Sequence, residues 1–168
     1  GKTELLNKYL KEKNKEEYLK FNGEDIRDIS LFTDRSVSNY KRIIGKAKIL
    51  VIDEAQKIPD SGLALKLIAD NFKDLKIIVT GSSVFDLSNK LGEPLVGRKN
   101  TLYLFPLAQM EFSSNENYVE TQSKLEERMI FGSYPELEQY DDWNDKRNYL
   151  NEILNSYLLR DILSFDEI

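Results

Sequence analysis

Apolar and polar positions along the chain fall into two kinds of block. Leu5, Leu6, Tyr9 and Leu10 recur at helical spacing with charges between them. This predicts an amphipathic helix that runs out into the polar stretch Lys11 to Glu17. Tyr18 to Phe21, bounded by Asn22-Gly23, predicts a short strand. Glu24 to Gly45 predicts one or two helices, with Ile26, Ile29, Ser30 and Phe32 on a loose face and Val37, Tyr40, Ile43 and Ile44 on a better one. Ile49-Leu50-Val51-Ile52 is an unbroken aliphatic run closed at once by Asp53-Glu54, which suits a strand buried on both faces of a parallel sheet. Pro59-Asp60-Ser61 opens another helix, with Ala64, Leu67, Ile68 and Phe72 on one side. Leu75 to Thr80 predicts a second buried strand, ending in Thr80-Gly81-Ser82-Ser83, and Val84 to Leu91 a short helix. A loop containing Gly92, Pro94 and Gly97-Arg98 leads to a further strand over Thr101 to Phe105, stopped by Pro106.

Strands thus alternate with helices up to Pro106, which predicts an α/β fold with helices on the faces of a parallel sheet. Beyond it the pattern changes. Leu107 to Phe112 and Lys124 to Phe131 read as short helices, Ser113 to Ser123 as a polar loop and Gly132 to Pro135 as a turn. One long helix is expected from Trp143 to Leu163, with Leu150, Ile153, Leu154, Tyr157, Leu158 and Ile162 as its stripe. The expected division is therefore a core over 1–106 and a mainly helical segment over 107–168, completing the core or forming a small lid.

Composition narrows the chemistry. The 168 residues include no Cys, which excludes disulfides and thiolate metal sites, and no His, which excludes Ser-His triads and imidazole ligands. Catalysis must rest on carboxylates, Lys, Arg, Tyr, hydroxyls or a bound metal. The net charge of -5 argues against a free-standing nucleic-acid binder, although a local basic patch remains compatible with it. No apolar run reaches membrane-spanning length and no signal peptide is visible, so a cytoplasmic protein is expected.

Four places carry candidate chemistry. An aliphatic strand closing in Asp53-Glu54 is the arrangement of a Walker B motif, in which the Asp holds Mg²⁺ and the Glu activates water. The bland alternative is a strand end re-entering solvent. Gly1-Lys2-Thr3 opening a helix is the tail of the loop G-x-x-x-x-G-K-[ST], in which Lys2 would reach phosphate and Thr3 would ligate Mg²⁺; otherwise it is an ordinary helix start. Ser82 would stand beside the γ-phosphate and Ser83 would cap the next helix, although capping alone accounts for either. Arg98 is a candidate arginine finger, with Arg160 behind it, and the alternative is a surface Arg paired with an acid.

The series Gly1-Lys2-Thr3, Val51 to Gln56, Thr80 to Ser83, Leu95 to Arg98, Pro106-Leu107 with Glu111-Phe112, and Gly132 to Pro135 resembles the prokaryotic AAA-type ATPases. Their boxes — a phosphate loop, IDE-x-Q, TGSS, L-x-GR, PL-x-x-E-F and GGYP — come in this order. The resemblance covers essentially the whole chain. It implies a P-loop NTPase, AAA+-like three-layer core with strand order 5-1-4-3-2 and a helical C-terminal segment. ATP and Mg²⁺ are the implied cofactors. It implies that Gly1, Lys2, Thr3 and Asp53 bind nucleotide, that Thr3 and Asp53 hold the metal, and that Glu54, Ser82 and Arg98 are catalytic. Arg98 acting in trans would imply a homo-oligomer. Ser133 stands where the family has its second Gly. The strand and most of the loop that should precede Gly1 are not in the sequence, so an internal piece of a longer ATPase is expected. The rival expectations are a scaffold or regulatory fragment that no longer binds nucleotide, and a DExx-box, helicase-like, DNA-stimulated ATPase.

Overall fold

In the computed structural model, which describes residues 1–81, 95 and 97–155, helix and strand alternate through the first part of the chain. The order is α1 (Lys2–Lys11), β1 (Tyr18–Asn22), α2 (Ile26–Thr33), α3 (Val37–Ile44), β2 (Ile49–Asp53), a 3-10 turn (Ala55–Lys57), α4 (Ser61–Asn71) and β3 (Lys76–Val79). Local chemistry sets several of these limits. The Asp25 carboxylate accepts from Arg27 N at 2.8 Å to start α2, and the Ser36 hydroxyl accepts from Asn39 N at 3.2 Å to start α3. Gly45, at φ 54, ends α3 where a side chain would be strained.

The described strands form a parallel sheet in the order β1-β2-β3. All five residues of β2 are buried, as its unbroken apolar run predicts for a central strand. Its side chains alternate between two apolar clusters. Leu50 and Ile52 join Phe21, Phe32, Tyr40, Ile44, Leu65 and Ile68 on the side of α2, α3 and α4. Ile49 and Val51 meet Leu6 and Leu10 of α1 on the other. Helices therefore cover both faces of this sheet.

Two expectations fail here. Ile26, placed on the inner face of α2, is 81% exposed, because Phe32 carries that contact, edge-on to Phe21 at 5.4 Å between centroids. Thr101 to Phe105 forms no strand. An extended segment becomes a strand only when a neighbour's backbone pairs with it, and among the described residues no strand does so. The predicted helix over Val84 to Leu91 lies outside the described residues.

The contacts divide the chain into two units, Gly1–Leu102 and Tyr103–Ile168. The second holds α5 (Gln109–Phe112), α6 (Tyr118–Ser123), α7 (Leu125–Phe131), a 3-10 turn (Pro135–Gln139) and α8 (Trp143–Ile153). Among its described residues the buried apolar ones are Phe112, Phe131 and Leu137. Polar side chains also take part in the packing. The Arg128 guanidinium lies 3.8 Å from the Phe112 ring centroid and 2.5 Å from Glu116, which Lys124 also contacts at 3.0 Å. Lys146 is buried against Glu127, which also accepts from Trp143 Nε1 at 3.2 Å. The expected polar loop over Ser113 to Ser123 is helical from Tyr118. The expected apolar stripe of the last helix is only half-buried at Leu150 and Ile153, and Leu154 is 49% exposed. Tyr157, Leu158 and Ile162 lie outside the described residues.

Candidate functional site

The two acids at the end of β2 occupy different environments. Asp53 is only 5% exposed, whereas Glu54 is half-buried. Register explains how the neighbouring strands reach them. Val79 pairs with Ile52, so Thr80 arrives beside Asp53. The Thr80 hydroxyl donates to Asp53 Oδ1 and accepts from Glu54 N at 3.3 Å. The Thr80 backbone closes the same junction, since its N donates to Ile52 O at 2.9 Å and its O accepts from Ala55 N at 3.0 Å.

From the other side, Asn22 pairs with Asp53, and Gly23 N then donates to Asp53 O at 2.8 Å. A Cβ built on Gly23 would stand 2.1 Å from Glu54 O, so only glycine fits this crossing. Held from both sides, the chain turns sharply. Glu54 adopts φ 52, ψ 43, a left-handed conformation that non-glycine residues seldom take and that costs about 1–3 kcal/mol. Gln56 Nε2 donates to Glu54 Oε2 at 2.5 Å and sets the direction of that carboxylate.

The sequence-predicted loop tail lies toward the same end of the sheet. Asn7 of α1 accepts from Lys20, which is in register with Val51. Tyr9 accepts from Lys76, which is in register with Ile49. Moving back along α1 therefore moves forward along the strands, so α1 runs antiparallel to them. Gly1, Lys2 and Thr3 point toward the end where Asp53 sits. Gly1 and Thr3 are exposed and Lys2 is half-buried. Among the described residues no hydrogen bond or ion pair joins Lys2 or Thr3 to either acid.

Arg98 is elsewhere. Its Nε lies 3.2 Å from Asp70 Oδ1. A helix joining two parallel strands must return to the start of the sheet, so Asp70, one residue from the end of α4, sits at the opposite end from Asp53. Within one chain the structure does not bring Arg98 to the two acids. Ser82 and Arg160 lie outside the described residues. Reasoning from the sequence missed Thr80, Gln56 and Gly23 as site residues. The signal for Thr80 was its place directly after a strand that had to run parallel to β2.

The chemistry of this donor set suits a hydrated divalent cation beside phosphates. Asp53 is a buried carboxylate that meets a hydroxyl and, among the described residues, no cationic side chain. Such a charge is costly unless something positive offsets it. Among the described residues no group of three acidic side chains converges into a complete cage. The buried Asp53 carboxylate fits Mg²⁺, which is commonly held by one or two carboxylates with water and substrate phosphates completing the shell.

A parallel sheet with acids at the carboxyl end of its central strand is compatible with a P-loop-like α/β fold, in which ligands bind at that end. The sequence model of the AAA domain family matches residues 1–113. The chain belongs to that family, whose members are P-loop ATPases in type. It is also similar to an uncharacterized protein of Methanocaldococcus jannaschii, 28% identical over an alignment covering 97% of this chain. The chain spans 40% of that relative's length. No solved structure matches the chain. No described helix is long and apolar enough to cross a membrane.

Proposed function

We propose that the chain is the ATP-binding and ATP-hydrolysing core of an AAA-type ATPase. The observation that carries this reading is the Asp53–Thr80–Glu54 junction, where one hydroxyl orders both acids at the end of a fully buried central strand. The order β1-β2-β3 supports it, because in the expected order 5-1-4-3-2 the three strands after the phosphate loop lie side by side. Cover on both sheet faces supports a three-layer core.

Bound ATP·Mg²⁺ would supply the γ-phosphate and the charge that offsets its oxygens. Asp53 and Thr3 would hold the metal, and Gly1 N–H and Lys2 would face phosphate. Glu54 polarises the attacking water, with its carboxylate aimed by Gln56 and its backbone set by Thr80. Ser82 is proposed as the hydroxyl beside the γ-phosphate. Arg98 is proposed to act across a subunit boundary, since in its own chain it pairs with Asp70 away from the acids.

The test is ATP turnover by the natural full-length protein carrying Glu54→Gln. Turnover should fall at least about a hundredfold, the usual contribution of a general base, while ATP binding persists in calorimetry. Turnover at the unaltered rate would sink the mechanism. A second reading, a regulatory module that does not hydrolyse ATP, draws on Gln56 occupying the Glu54 carboxylate at 2.5 Å. Under it, the unaltered protein would not turn over ATP, whereas Gln56→Ala, which frees the Glu54 carboxylate, would.

A further inference from the structure

The end of the sheet opposite Asp53 carries positive charge that the ATPase reading does not use. Lys11, Lys13 and Lys15 leave α1 on the way to β1, and Lys20 projects from β1 itself. With Asn7 and Tyr18 these four lysines line one depression of about 490 Å³. Glu4 is the acid in that lining. Among the described residues none of the four ammonium groups is ion-paired. Lys20 Nζ donates to Asn7 Oδ1 at 2.7 Å, which leaves its charge unneutralised. Lys13 lies 5.2 Å from the Tyr9 ring centroid and Lys76 lies 5.0 Å from the same centroid. Two cations are thus gathered on one ring, and neither has an ion-pair partner among the described residues.

The lining sets four lysines against Glu4 in a chain of net charge -5, while Glu12, Glu16 and Glu17 of the same segment lie outside it. Lysine on an edge strand keeps that edge from pairing with other sheets, and β1 is an edge of the described sheet, so this role accounts for Lys20. It does not account for Lys11, Lys13 and Lys15, which lie on the helix end and the connection. A concave row of unneutralised ammoniums with an aromatic side chain in its lining is the chemistry of a single-strand track. Phosphates follow the cations and a base stacks on the ring.

We propose that this depression binds single-stranded nucleic acid, with backbone phosphates on Lys11, Lys13, Lys15 and Lys20 and a base on Tyr18. The proposal does not rest on ATP hydrolysis, because none of the four lysines is placed in the ATP site, although the lining runs along α1 as far as Glu4, next to Thr3. The experiment is fluorescence anisotropy of the full chain with a labelled oligodeoxythymidine. Four neutralised phosphates should make log affinity fall against log salt with a slope of about -3. Lys13→Gln alone should lower that slope by about 0.7. Lys→Glu at all four positions should weaken binding at least tenfold, with folding checked by circular dichroism. Lys41→Glu with Lys66→Glu, away from the depression, should leave binding intact. Three results would overturn the proposal. These are no binding at low salt, equal binding by the Lys13→Gln and fourfold variants, or competition by polyglutamate as strong as by unlabelled oligonucleotide.

Discussion

The Thr80 hydroxyl donates to the Asp53 carboxylate while accepting the Glu54 amide, so a single side chain just past the end of β3 holds both acids at the end of β2. Replacing it tests how far the acids depend on that support. Thr80→Val keeps the shape and removes the hydroxyl. A hydrogen bond to a charged group contributes about 1.5–3 kcal/mol, so chemical denaturation should show a loss of that size. Supporting groups of this kind are worth about 10–100-fold in metal affinity or activity, so Mg²⁺-dependent turnover should fall by such a factor. Thr80→Ser should retain most of both. Equal behaviour of the Val and Ser variants would show that the hydroxyl does not matter.

Gly23 offers a steric counterpart. Any Cβ there meets the Glu54 carbonyl at 2.1 Å, and backbone cannot swing aside as a flexible side chain does. Gly23→Ala must push the β1 end away from the β2 end and stretch the 2.8 Å bond from Gly23 N to Asp53 O. Overpacking of this kind costs about 1–3 kcal/mol. The melting temperature should drop accordingly, and ATP affinity should weaken with it. An unchanged melting temperature would mean that the two strand ends are looser than their contacts indicate.

Much of the first unit was legible because its signals are local. The unbroken run Ile49–Ile52 had to be buried on both faces, and β2 is. Lys48 to Gln56 also announced where the acids would stand. What the sequence could not disclose is who reaches those acids. Thr80 and Gly23 act through register between strands far apart in the chain, and register is a tertiary fact. Thr101 to Phe105 misled for the same reason, since a β-like composition forms a strand only when a neighbour pairs with it. In the second unit α6 was legible and overlooked. Asn117 and Glu120 form a reciprocal cap, with Asn117 N donating to Glu120 at 2.8 Å and Glu120 N donating to Asn117 at 3.0 Å. The burial of Lys146 had no local signal, because it depends on Glu127 from another helix.

Glu116 makes the second unit acid-sensitive. The Arg128 guanidinium, followed by Lys124, holds its carboxyl down at about 2 from an ordinary 4.5. A carboxyl that is more acidic in the folded state makes stability rise with pH wherever the unfolded chain binds the extra proton and the folded chain does not. Its contribution is therefore complete above about 4.5 and disappears as pH falls toward about 2. Glu116→Gln should lower stability at neutral pH and flatten its acid dependence across that window. Denaturant titrations at a series of pH values measure both. A Glu116→Gln curve parallel to the unaltered one would detach the acid dependence from this cluster.

Arg98 and Asp70 separate two roles for one guanidinium. As a partner for Asp70 at 3.2 Å, with both side chains more than a third exposed or nearly so, Arg98 contributes about 0–1 kcal/mol. If that were its only role, Arg98→Ala and Asp70→Ala would behave alike, with small stability losses and normal turnover. The proposed action across a subunit boundary separates the two variants. Asp70→Ala should hydrolyse ATP normally, whereas Arg98→Ala should lose about a thousandfold or more while still binding ATP. Complementation then decides the geometry. Glu54→Gln protein lacks the base and Arg98→Ala protein lacks the finger, so each is inactive alone. Mixed, an Arg98→Ala subunit keeps its own Glu54 and receives Arg98 from its Glu54→Gln neighbour. Turnover should reappear and rise with protein concentration. Continued silence in the mixture, with both proteins folded and ATP-bound, would return Arg98 to its pairing with Asp70 alone.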